Sequence, residues 1–321
     1  MRALITGVGG FVGNHLAEHL LEQGDVEVFG TTFLPPESYP DLQRFDMTLR
    51  QVDLTDDDAV ERLLRDIRPD HIYHLAAQSF VPESFDNPWG TLSNNIKAQL
   101  SIILAMIKLD LPSRLLVVGS AEVYGPVSPD DIPIDEQQPL RPPSPYSVSK
   151  VAQDMLGLQY FISHNLPIIR VRPFNQIGPG QSKRFVAPAF ASQIAAIEAG
   201  PQEPVLYVGN LEARRDFTDV RDMARAYRLV MSLGEPGSVY NIGSGQARSI
   251  QELLDILLHH TEAPIQVQVD PARMRPSEVP IFVCNPARVR ATTGWEPQIS
   301  FEETLVDVLE DWRARVRETQ P

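Results

Sequence analysis

A chain of 321 residues with 43% hydrophobic and 22% charged residues has room for a sizeable core, as one large domain or two moderate ones. Its formal net charge of −14 argues against nucleic acid or an anionic membrane as a general partner, while leaving room for a local basic pocket. The lone cysteine, Cys284, excludes an intramolecular disulfide, and we expect a soluble cytoplasmic protein with no signal peptide and no membrane span.

Residues 2–6 (RALIT) read as a buried parallel strand. The run Gly7-Val8-Gly9-Gly10-Phe11-Val12-Gly13 follows, then a helical pattern with Leu16, Leu20 and Leu21 on one face. Gly24 can stop that helix, and residues 26–30 make a second strand. In such a βαβ unit, glycine lets the backbone approach a pyrophosphate, and the helix start offers free N–H groups. Dinucleotide binding is therefore expected at Gly7, Gly10, Phe11, Val12 and Gly13. In the same helix His15, Glu18 and His19 match the H-x-x-E-H zinc pattern, but no third ligand follows, and a solvated polar face is the better reading. The position that tests the adenosine ribose is Thr31, with Thr32 and Phe33. An acid there would favour NAD and a nearby arginine NADP. Neither is present, nothing requires Arg44 to fold back, and NADPH and NADH both stay open.

Residues 49–52 form the next strand, ending at Asp53-Leu54, and residues 55–58 carry helix-capping side chains for an amphipathic helix over 59–67. The strand 71–76 (HIYHLA) leads to Ala76-Ala77, where small residues leave space for a flat ligand at the carboxyl end of the sheet. Asn94 and Asn95 open a long helix running to about residue 108. The strand 114–119 delivers Ser120-Ala121-Glu122-Val123-Tyr124-Gly125, and Ser120 is placed to donate a hydrogen bond to a substrate carbonyl oxygen. A proline-rich surface loop then leads to Pro145-Tyr146-Ser147-Val148-Ser149-Lys150. On a helix, Tyr146 and Lys150 share one face. A lysine ammonium beside a phenol lowers the phenol's pKa, so the pair is a candidate proton donor and acceptor.

The spacing in TGVGGFVG, the HLAAxS match at 74–79, and the Ser120-Tyr146-Lys150 set resemble the extended short-chain dehydrogenase/reductase family over nearly the whole chain. The resemblance implies an α/β fold: a Rossmann-type doubly wound parallel sheet with a smaller C-terminal α/β substrate-binding domain. It implies cofactor contacts from Asp53, Leu54, Leu75, Ala76 and Ala77. Asn95 would help hold Lys150 through water, and Pro173 would lie near the nicotinamide. It also implies a homodimer through a four-helix bundle formed by the helices after Asn95 and Tyr146.

Beyond a strand at 167–171 comes Arg172-Pro173-Phe174-Asn175-Gln176-Ile177-Gly178-Pro179, which marks the turn into the substrate domain in that family. Residues 1–172 would bind NAD(P), with 219–242 (a helix at 219–233 and a strand at 238–242) returning to them. Residues 173–321 would mainly bind the sugar nucleotide. VGNLEA, RRDFTDVRD and RPSEVP resemble the GDP-sugar branch, which holds GDP-mannose 4,6-dehydratases and GDP-6-deoxy-D-mannose reductases. The branch implies substrate contacts from Ser120, Glu122, Asn175, Val186, Asn210, Arg215, Arg275 and Glu278. A planar arginine fork suits phosphate, and a glutamate suits a guanine edge. Glu122 fills the acid/base position of the dehydratases, so dehydration of GDP-mannose, or the activity of another nucleotide-sugar epimerase or dehydratase, stays open. The glycine turn and RRDFTDVRD favour the reductase. The expected reaction is NAD(P)H-dependent reduction of the C4 ketone of GDP-4-dehydro-6-deoxy-D-mannose to GDP-6-deoxy-D-mannose. A dinucleotide-binding sensor or scaffold is disfavoured because Tyr146 and Lys150 are both present.

Overall fold

The computed structural model describes residues 1–200, 202–273 and 279–319. The first half alternates strand and helix: β1 (Arg2–Thr6), α1 (Phe11–Leu21), β2 (Glu27–Thr32), β3 (Thr48–Gln51), α2 (Asp57–Ile67), β4 (His71–His74), α3 (Val81–Asp86), α4 (Pro88–Lys108), β5 (Arg114–Val118), α5 (Pro145–His164) and β6 (Ile168–Pro173). The second half continues with β7 (Asn175–Ile177), α6 (Val186–Glu198), β8 (Val205–Val208), β9 (Arg214–Asp219), α7 (Val220–Leu233), β10 (Val239–Ile242), β11 (Ala247–Ser249), α8 (Ile250–His259), β12 (Gln266–Val269), β13 (Ile281–Phe282), α9 (Ala287–Thr293) and α10 (Phe301–Thr319).

The short apolar strands pair in parallel, in the order β10-β6-β5-β4-β1-β2-β3. Both faces are covered. Leu16, Leu20, Tyr227 and Met231 pack on one side, and Val60, Leu64, Ile102 and Met106 on the other. Strand order reverses between β1 and β4, so their carboxyl ends flank the crevice where open α/β sheets bind ligands. α7 and β10 return to this sheet from far along the chain, β10 pairing in parallel with β6. β7, β9, β11 and β13 build a small mixed sheet, and β8 pairs with β12. A separate core of α6, α8 and α10 residues, including Phe190, Leu254 and Leu309, supports them. No helix among the described residues is long and apolar enough to cross a membrane.

Three expectations need correction. The long helix opens at Pro88, not at Asn94: proline suits the first helical position, and the Asn87 side chain accepts from Gly90 N at 3.0 Å. Asn95 is thus well inside α4 and fully buried. β4 stops at His74, because the Ala76 amide turns to the Thr6 side chain at 3.3 Å instead of continuing the ladder. The proline-rich loop is not wholly on the surface. Ile134 is completely buried and bridges to Cys284, tying the loop to the C-terminal lobe.

Candidate active site

The glycine turn is built so tightly that Gly7 and Gly13 leave no room for a side chain. Gly7 has φ +71, and a Cβ there would meet Ala76 Cα at 2.8 Å. A Cβ on Gly13 would lie 2.5 Å from the Gly7 carbonyl oxygen, where α1 crosses β1. Gly10 N donates to Gly7 O at 3.0 Å and Gly10 begins the helix without a side-chain cap. The amides of Phe11, Val12 and Gly13 therefore have no helical partner. This cradle fits a dinucleotide pyrophosphate. Thr31 is spent on the turn itself: its hydroxyl accepts from Gly7 N at 3.3 Å and its carbonyl from Val8 N at 3.2 Å. Arg44 does fold back, to Asn14 Oδ1 at 3.1 Å on α1. Asp53 organises its own turn by accepting from Thr55 N and Oγ1, with buried Leu54 beside it, and the cap of α2 is Asp56. His15 is bonded to the Pro179 carbonyl at 2.8 Å, and no metal-ligand cluster exists among the described residues.

Leu75, Ala76 and Ala77 line the other side of the crevice, half-buried. Asn95 fastens this segment. It accepts from Gln78 N at 2.8 Å, donates to Gln78 O at 3.0 Å, and donates to Ser149 Oγ at 2.9 Å. Asn94 Nδ2 also donates to Asn95 Oδ1, at 3.1 Å. Ser144 caps α5 in a reciprocal capping box with Ser147, and this fixes where Tyr146 emerges.

Ser120, Tyr146 and Lys150 come together at the carboxyl end of β5. Ser120 caps the short turn 121–124. Lys150 Nζ donates to Val118 O at 2.9 Å and lies 5.9 Å from the Tyr146 ring centroid. Burial pushes Lys150 down to about 8. The Tyr146 phenol is not lowered, as the spacing had suggested, but raised. Burial is the main cause and the Glu122 carboxylate adds to it, against a weaker opposing hydrogen bond with Ser120. The spacing sets a shared helix face; desolvation of the ring is a tertiary effect that the spacing does not reveal. The phenol is protonated at neutral pH and can donate, though its raised pKa makes it the weaker acid.

Ser120 opens on a cavity of about 790 Å³ between the two lobes, while Tyr146 and Lys150 are buried. Its walls carry Ser120, Glu122, Pro173, Asn175, Val186, Asn210 and Arg215. Glu122 is exposed on the cavity wall, yet desolvation by the surrounding protein raises its pKa while Arg215 lowers it. Arg215 donates to Val279 O at 3.0 Å. Lys183, Arg184 and Arg273 also reach the cavity. The pair Lys183-Arg184 was missed from sequence, although two adjacent bases just ahead of Val186 in an acidic chain were a usable signal. Arg275 and Glu278 lie outside the described residues.

The profile of the family described as GDP-mannose 4,6 dehydratase matches residues 4–308. The chain is 37% identical over 317 residues to GDP-6-deoxy-D-mannose reductase of Pseudomonas aeruginosa, covering 99% of each. It is 28% identical over 358 residues to GDP-mannose 4,6-dehydratase of Vibrio cholerae, covering 98% and 95%. The solved structure of RMD from Pseudomonas aeruginosa complexed with NADPH superposes with a TM-score of 0.87 at 35% identity, covering 98% of this chain and 99% of that one.

Proposed function

We propose that this chain, which belongs to the GDP-mannose 4,6-dehydratase family of extended short-chain dehydrogenases/reductases, reduces the C4 ketone of GDP-4-dehydro-6-deoxy-D-mannose to GDP-6-deoxy-D-mannose. It is an NAD(P)H-dependent oxidoreductase acting on a GDP-sugar. The observation that carries this reading is the match along 99% of the chain to a reductase of that name, in a protein that brings Ser120, Tyr146 and Lys150 together at the carboxyl end of β5.

The glycine cradle at Gly7, Gly10 and Gly13 and the amides of Phe11 and Val12 would hold the pyrophosphate of NADPH or NADH. Leu54, Ala76, Ala77 and Pro173 would line its rings and riboses. When bound, the reduced nicotinamide supplies the hydride. Ser120 hydrogen-bonds the C4 oxygen and polarises the ketone. Tyr146 gives its proton to that oxygen as negative charge develops there. Lys150, charged below about pH 8, offsets the phenolate that remains. Asn175, Val186, Asn210 and Arg215 hold the nucleotide end of the substrate. Arg215, with Lys183, Arg184 and Arg273 on the same walls, offers the positive charge that a diphosphate requires in a protein of net charge −14.

Glu122 favours one second reading, dehydration of GDP-mannose, since an acid with a raised pKa lies on the cavity wall. Incubation with GDP-mannose alone, then with the ketosugar and each reduced cofactor, separates the two. Consumption of the ketosugar only, with loss of nicotinamide absorbance, is expected. Conversion of GDP-mannose without reductant would overturn the reductase.

The homodimer we propose is supported by an apolar stripe. Val148, Met155 and Ile162 recur every seven residues on the outer face of α5, and Leu104 is exposed on the adjoining α4. Pairing these two helices with their copies would bury the stripe in a four-helix bundle. A single buried thiol and the cellular supply of reduced cofactor fit work in the cytoplasm.

A further inference from the structure

The Ser120 turn and the Tyr146 helix are separate pieces of chain, yet they must meet one substrate oxygen. A buried polar chain runs between them. Tyr124, at the end of the same turn as Ser120 and Glu122, is completely buried, and its hydroxyl bonds Asn241 Oδ1 at 2.6 Å. Arg172 Nη1 donates to that hydroxyl at 2.9 Å, and the guanidinium lies 5.2 Å from the Tyr124 ring centroid. Arg172 Nε donates to Asp154 Oδ2 at 2.7 Å, while Arg170 Nη1 takes Asp154 Oδ1 at 2.6 Å. Asp154 lies on α5, one turn beyond Lys150. All five residues in this path are at most 5% exposed.

Nothing in the core requires this arrangement. Burying two arginines around one carboxylate carries a desolvation cost, and apolar residues of similar volume would pack there as stably. What the path provides is direction: arginine's planar fork fixes angles as well as distances. We propose that Tyr124, Arg172 and Asp154 are positioning residues that set the Ser120 turn against the Tyr146 helix, so that both address the C4 oxygen together. This rests on the reductase reading above. Arg172 also immediately precedes Pro173 on β6, so the same path registers the floor of the cavity.

Tyr124→Phe removes one hydroxyl and keeps the ring. kcat on the ketosugar should fall about tenfold, with KM for the ketosugar and Kd for NADPH within about twofold, and the melting temperature should drop by a few degrees because Arg172 Nη1 and Asn241 Oδ1 each lose a buried partner. Arg172→Lys keeps the charge and loses the fork, and should show the same split. Amide hydrogen exchange over residues 119–125 should quicken in Tyr124→Phe whether or not turnover is measurable. Wild-type kcat in Tyr124→Phe, a loss confined to KM, or unchanged exchange in 119–125 would each overturn the proposal. A wild-type protein inert toward the ketosugar sinks the reductase reading instead, and the exchange measurement still decides the positioning role.

Discussion

Lys150 Nζ is anchored to the Val118 carbonyl oxygen at 2.9 Å, directly below the turn that presents Ser120. The contact holds the ammonium at the end of β5, and burial brings its pKa down to about 8. Because the pKa is lowered, the charge is present below that value and lost above it. Catalytic efficiency with NADPH should therefore be flat up to about pH 7 and decline through pH 8 to 9. Lys150→Met should abolish that limb and lower efficiency at pH 7 by about 10²-fold. A wild-type profile unchanged to pH 10 would contradict this assignment.

Tyr146→Phe deletes the proposed proton donor and keeps the buried ring. Turnover of the ketosugar should fall by about 10²–10⁴. NADPH binding, followed by fluorescence titration, should stay close to wild type. Near-normal turnover would move the proton donor elsewhere.

The parallel core was legible because each strand is a short apolar run closed by glycine, proline or small residues, and period and punctuation agree. The start of α4 was not. Residues 81–96 carry little apolar periodicity, and the signal lay in Asn87-Pro88, a cap followed by a first-position proline. For Tyr146 and Lys150 the spacing gave a shared face correctly. The direction of the phenol's shift was out of reach, because it depends on how much protein surrounds the ring. Thr31 illustrates the same limit: sequence places it beside the expected ribose, and only the fold turns its hydroxyl inward to Gly7.

Gly13→Ala tests the cradle. Its added Cβ would fall 2.5 Å from Gly7 O and 2.8 Å from Val8 Cα, both backbone atoms with no freedom to swing away. α1 must shift off β1, at a cost of about 1–3 kcal/mol. We expect a lower melting temperature and at least tenfold weaker NADPH binding. Unchanged affinity would place the pyrophosphate elsewhere.

Met155→Glu tests the bundle. The residue sits mid-stripe on α5, half a helix from Tyr146, and is already partly exposed, so the single chain should fold normally. Sedimentation should show a dimer in the wild type and a monomer in the variant. A monomeric wild type, or a variant that still dimerises, would rule out this face.

Glu122→Gln addresses the chemistry that separates the two enzymes of this family. The Glu122 carboxylate raises the Tyr146 pKa, so removing its charge should lower that pKa. Tyr146 must be protonated to act, and reduction is lost as pH rises through its pKa. The rate at pH 7 should stay within about tenfold of wild type, and the decline through pH 8 to 9, set by Lys150, should stay where it is. A limb that moves would mean that Glu122 also acts on Lys150. A variant that loses all activity at pH 7, in a wild type that also consumes GDP-mannose, would make Glu122 an acid/base group and turn the assignment to dehydration.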